Sequence, residues 1–301
     1  MQNEFIAEND AEEIDTHVQK VLSDLGRPEP PLSMDGVREL LKLDRQYYRS
    51  SDTGILVETA HRMKLAGKQV FARPSRIIDA VKQWDLKALW VPDGRRILID
   101  ADEPEPKHRW AEAHEVGHSL IPWHEPFMHG DHRVTLSVAC HEELEAQANY
   151  AAARLLFLGD AYAERLLSSD VNFDRVKHLG REVFKNTMTT SLWRAVEAIE
   201  GPALGMVSCH PCEQGGDEPV RYFLRSRRFA ERFGNVSALS VFRAMGEFCF
   251  GSRGPIGCDE VVLRDDAGQE HVFFLECFHN SYDTLTLGVH RGRRAAQVVV
   301  A

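Results

Sequence analysis

Residues 114–118 read His114-Glu115-Val116-Gly117-His118, and this pentapeptide constrains the chain more than any other segment. Histidines four residues apart on a helix project from one face, one turn apart. Both imidazoles can then reach one metal ion at the ~2.0–2.1 Å of a zinc–nitrogen bond. Glu115 is turned about 100° from His114 around the helix axis. It is too far round to be a natural third ligand, but it can take a proton from water at the metal. The context is helical: Pro104 and Pro106 precede the segment, Pro122 follows it, and Trp110, Ala113, Gly117 and Leu120 form an inward stripe. Gly117 beside Ala113 predicts a second element packed close.

A catalytic zinc takes three protein ligands and keeps a fourth position open. The next strong helix, expected over 141–158, supplies the third. Its apolar stripe runs through Leu144, Ala148, Ala151 and Leu155, and Glu145 lies beside it. Ala146, Ala148, Ala151, Ala152 and Ala153 allow close approach to the first helix. Glu142, one turn earlier on the same side, is the rival ligand. The acidic residues 142, 143 and 145 also read as a solvated helix start favoured by the helix dipole. His124, His129, His132 and His141 lie within reach of a metal and equally read as loop histidines or substrate contacts.

The two segments together, His114 to His118 and then Glu145-Ala146-Gln147-Ala148-Asn149-Tyr150-Ala151-Ala152, resemble the ImmA/IrrE family of metallopeptidases. That family's second motif runs roughly E-x-E-A-N-x-F-A. Its first Glu, the third zinc ligand, maps onto Glu145. Its second Glu is Gln147 here, and its aromatic residue is Tyr150; neither departure removes a ligand. The resemblance covers about residues 30–160. It implies one catalytic zinc ion on His114, His118 and Glu145, with Glu115 as the catalytic base. It also implies a cytoplasmic endopeptidase that cuts a helix-turn-helix repressor in a stress or mobile-element response. His141 and Tyr150 are candidates to stabilise the oxyanion, and Asn149 to orient an imidazole. The rival function is a regulatory protein that uses the same scaffold for binding and cuts nothing.

The rest of the chain sets the context. The formal charge of 36 − 46 = −10 disfavours non-specific binding to nucleic acid or anionic membranes. Met1 to Asp15 is acidic without an apolar stretch, and no apolar run approaches the ~20 residues that span a bilayer. A cytoplasmic protein is expected, with its six cysteines reduced.

The expected fold is α+β: a mostly helical zincin-like domain with a small sheet, then a helical region, then a smaller α+β domain. The divisions fall at 1–31 (helix and linker), 32–160 (peptidase), 161–204 (helical) and 205–301, with a break at Gly201-Pro202. Helices are expected over 7–25, from Ser33 or Asp35 to Asp44, over 55–66, 74–84, 161–167, 171–185 and 189–199, and near 226–233. Strands are expected at 88–91, 96–100, 220–224, 260–264, 272–277 and 285–289. Three weaker signals remain. Residues 183–197 suit either the second half of a helix-turn-helix or plain buttressing helices. Arg221 to Phe233 interleaves arginines with aromatics, which suits single-stranded nucleic acid or a strand and helix with aromatics inward. Cys209-His210-Pro211-Cys212, with Cys249 and Cys258, suits a second zinc, a redox pair, or incidental cysteines.

Overall fold

The computed structural model describes residues 3, 5–48, 88–91, 95–102, 104–124, 138–213 and 218–294. The helices expected over 55–66 and 74–84, the turn at 92–94, and His129 and His132 lie outside the described residues.

The chain is α+β. It forms two compact units, Ile6–Asp160 and Ala161–Ala301, the second joined by Met1–Phe5. The division falls at 160/161, one of the expected boundaries, but there is none at Gly201-Pro202, so 161–204 is not a separate region. The reason is packing. A helix at Met188–Ala198 buries Leu192, Ala195 and Val196. A Cβ on Gly205, in the next strand, would lie 2.9 Å from Val196 and 3.3 Å from Leu192. The helical stretch is one layer of the C-terminal sheet's own core. The N-terminal residues also divide: Asn3 exchanges two hydrogen bonds of 2.9 Å with the backbone of Arg225.

In the first unit, α1 (Glu8–Asp24) buries Ile14, Val18, Val21 and Leu22 at helical spacing. Helix α2 (Met34–Leu41) starts at Ser33, whose hydroxyl accepts from Gly36 N at 3.2 Å. It stops at Lys42 in the left-handed conformation, short of the expected Asp44. Asp44–Tyr48 is instead strand β1, parallel to β3 (Arg96–Asp100), and β2 (Ala88–Val91) pairs antiparallel on the other side. Central β3 buries Ile97, Leu98 and Ile99 completely. Two long helices follow, α3 (Glu105–Leu120) and α4 (Val138–Leu156). Buried Glu112 on α3 pairs with Arg38 of α2 and, at 2.9 Å, with Arg45 of β1.

The second unit begins with α5 (Ala161–Leu167), α6 (Phe173–Lys177), a π-helical turn at His178–Val183 and α7 (Met188–Ala198). A five-stranded antiparallel sheet follows, in the order β5-β4-β8-β7-β6. Its strands are β4 (Ala203–Ser208), β5 (Val220–Arg225), β6 (Gly254–Arg264), β7 (Glu270–His279) and β8 (Thr284–Arg293). Helices α8 (Arg227–Arg232) and α9 (Ala238–Met245) pack on it over Phe223, Phe229, Phe233, Phe273 and Leu275. Strand β4 and helix α9 were not expected from sequence. Strand β4 is buried at every position, so it shows no alternation to recognise.

Two weak signals resolve into structure. In α7, Arg194 is buried and lies 3.7 Å from Glu197, so it is not offered to a phosphate. In 221–233, Phe223, Phe229 and Phe233 are buried while Arg221, Arg227 and Arg228 face solvent. Those three rings are unavailable for stacking on bases. Among the described residues no helix is long and apolar enough to cross a membrane.

Candidate metal centre

The site depends on how closely α3 and α4 approach each other. Where they cross, a Cβ on Gly117 would lie 2.7 Å from the carbonyl oxygen of Ala148 and 3.2 Å from Cβ of Ala151. Only glycine leaves room for that backbone, as the small-residue stripe predicts. The crossing brings Glu145, one turn before Ala148–Asn149, against the face that carries His114 and His118.

The three side chains converge. His114 Nε2 is 3.1 Å from Glu145 Oε2 and 3.2 Å from His118 Nε2, and His118 Nε2 is 3.5 Å from Glu145 Oε1. A zinc ion with ~2.0–2.1 Å bonds at tetrahedral angles keeps its donors about 3.3–3.4 Å apart. The triangle matches that spacing, and two imidazoles with one carboxylate form a zinc donor set. Among the described residues no other group of three such side chains is close enough to hold a metal. Glu142 is exposed and outside the group.

The electrostatics suit a cation. Burial pushes the His114 imidazole down, but hydrogen bonding to Glu145 and the charge of Glu115 outweigh it and raise it to about 9. Burial pushes the Glu145 carboxyl up, but hydrogen bonds from His114 and His118, with their charges, hold it far below the carboxylate range. A positive charge is favoured between these groups whether a proton or a metal supplies it. Glu115 is buried beside the triangle.

Each imidazole is held from behind. Asn149 Oδ1 accepts from His114 Nδ1 at 3.0 Å, the contact that an imidazole-orienting residue would make. His118 Nδ1 is 2.9 Å from Nδ1 of His124, whose Nε2 is 2.8 Å from Gln147 Oε1. This second support was not expected from sequence; its only signals were a histidine shortly after the Pro122 break and the amide of Gln147. Tyr150, the oxyanion candidate, donates its hydroxyl to Asp15 of α1 at 3.1 Å. His141 is within α4, but its side chain is not among those described. Among the described residues Cys209 and Cys212 belong to no metal group; the Cys212 thiol lies 2.9 Å from the carbonyl oxygen of Cys249.

No protein-family model matches the chain, and no curated protein matches it. Among solved structures, it is similar in fold to a Mycobacterium tuberculosis transcriptional regulator. That likeness has a TM-score of 0.50 at 10% identity and covers 96% of this chain and 94% of the other.

Proposed function

We propose that the chain is a zinc-dependent endopeptidase of the ImmA/IrrE kind, with a DNA-binding repressor as its substrate. The observation that carries this is the donor triangle of His114, His118 and Glu145 with Glu115 buried next to it. His114, His118 and Glu145 would hold the ion, and Asn149 and His124 aim the imidazoles. Zinc, when bound, supplies a Lewis acid that polarises the scissile carbonyl and acidifies water. The Glu115 carboxylate takes the proton of the attacking water and returns it to the leaving amine nitrogen. The repressor as substrate rests on the resemblance of the two motifs alone.

The test incubates purified protein, wild type and Glu115→Gln, with repressors encoded beside its gene. Wild type should yield discrete fragments. Glu115→Gln should keep zinc and fold yet yield none, because an amide does not accept the proton. Equal cleavage by both proteins would overturn the role of Glu115.

A second reading makes the protein a regulator that binds through this scaffold without cutting. It is favoured by the fold shared with a chain described as a transcriptional regulator. Under that reading, wild type and Glu115→Gln act alike on a reporter of the repressor's operator, and the repressor stays whole.

A further inference from the structure

The second unit gathers sulfur on the inner face of its sheet. Cys277 points inward from β7 and is 3% exposed; Cys249, just after α9, is fully buried. Opposite Cys277 in the ladder stands Gly257 of β6. A Cβ built on Gly257 would lie 2.1 Å from the carbonyl oxygen of Phe248 and 3.1 Å from Cα of Cys249. The backbone at 248–249 therefore lies directly on the strand, and only a glycine beneath it permits this. Side chains of cross-strand partners share a face, so Cys277 emerges beside Cys249. Cys249 and Cys277 thus both lie against Gly257 on one face of the sheet, the kind of approach a disulfide demands, with Cα atoms about 4.4–6.8 Å apart. Thr286, opposite Cys277 in β8, turns its hydroxyl to Cys277 Sγ at 3.4 Å and Met245 Sδ at 3.5 Å. The exposed Cys212, on the Cys249 carbonyl, marks the side nearest solvent.

We infer that Cys249 and Cys277 form a thiol–disulfide couple that a hydroperoxide closes, tying the end of α9 to the middle of the sheet. The Cys249 sulfur, as thiolate, attacks one peroxide oxygen. The O–O bond breaks, the departing hydroxide takes up the thiol's proton as water, and Cys249 is left as a sulfenic acid. The Cys277 sulfur then attacks the Cys249 sulfur. The S–S bond forms as the S–O bond breaks, and the hydroxide released takes the Cys277 proton as a second water. Two thiols lose two electrons and the peroxide gains them. The order of attack follows from the two thiols' effect on each other, which draws the Cys249 thiol down and pushes the Cys277 thiol up, with burial also raising the latter. Cys277 is thus the proton donor of the pair, and Cys249 the nucleophile.

The test uses the full chain, reduced, desalted and exposed to hydrogen peroxide. Remaining thiols are alkylated in denaturant and the digest is mapped by mass spectrometry. The expected product is one linked peptide pair joining Cys249 to Cys277, released by reductant and formed equally in Cys212→Ser. The oxidised protein should also melt at a higher temperature than the reduced protein, and the shift should vanish on reduction. The couple is overturned if Cys249 and Cys277 are both recovered alkylated while only Cys209, Cys212 or Cys258 has oxidised. It is equally overturned if the linked pair is Cys212 with Cys249.

Discussion

His118 and His124 meet ring to ring inside the first unit, Nδ1 to Nδ1 at 2.9 Å, with both residues buried. Which nitrogen carries the proton follows from Trp123. An indole N–H only donates, and Trp123 Nε1 lies 2.8 Å from Gln147 Oε1, so that atom is the acceptor. The same oxygen, 2.8 Å from His124 Nε2, makes that nitrogen a donor. His124 Nδ1 is then the acceptor and His118 Nδ1 the donor, which leaves His118 Nε2, 3.5 Å from Glu145 Oε1, as the ring nitrogen turned to the donor triangle. The Gln147 amide completes the chain by donating to Asp10 at 2.8 Å. Burial, and then the nearby His118, pushes His124 down to about 4, as a neutral relay requires.

Removing this relay should weaken metal binding without removing a ligand. His124→Ala is expected to lower zinc affinity roughly 10–100-fold, measured by competition with a chromophoric chelator. Trp123→Phe, which frees the Gln147 amide to flip, should act in the same direction with a smaller effect. Unchanged affinity in both variants would mean that His118 needs no such support.

The crossing of α3 and α4 is as exacting. Gly117→Val sets a side chain against the Ala148 carbonyl, where even a Cβ would lie at 2.7 Å. Overpacking of this kind costs about 1–3 kcal/mol, more than the ~1 kcal/mol that leaving glycine gains in a helix. The urea midpoint should fall, and zinc content with it, because Glu145 rides on the displaced helix. A variant as stable and as zinc-rich as wild type would show that the helices do not cross there.

The donor triangle was legible in the sequence because its information is local. Two histidines one helical turn apart define a face, and the alanines around Glu145 announce the helix that meets it. Glu142 and Glu145 stayed open as rivals because both lie on one side of α4; only the crossing at Ala148 separates them. His124 and Gln147 were illegible because their pairing is between separate segments. Strand β1 was hidden in the polar run Asp44-Arg45-Gln46, and β4 by uniform burial. The boundary at 160/161 was legible, but the one expected near Gly201-Pro202 was not real, because that dipeptide is a break in the chain and not in the core: Leu192 and Val196 cross it to pack on Gly205.

The metal-free protein should have a peaked stability profile against pH. His114 binds its proton more tightly folded, at about 9, than unfolded, at ~6.5. That stabilisation is complete below about pH 6.5 and fades as pH rises toward about 9. His124 acts in reverse: at about 4 when folded, it resists the proton that the unfolded chain accepts below ~6.5. Stability therefore also falls from about pH 6.5 toward about 4. Thermal melts of chelator-treated protein should peak near neutrality. Zinc takes the place of the His114 proton, so the loaded protein should lose the alkaline decline. An alkaline limb identical with and without zinc would contradict the assignment of His114 as a ligand.

The most direct test of the account is the zinc content of purified protein, measured by elemental mass spectrometry for wild type, Glu145→Ala, Glu142→Ala and Glu115→Gln. Wild type should hold about one zinc ion per chain. Glu142→Ala and Glu115→Gln should match it, and Glu145→Ala should lose most of the metal while remaining folded. Full zinc occupancy in Glu145→Ala, or a metal-free wild type that takes up no zinc when supplied, would contradict it.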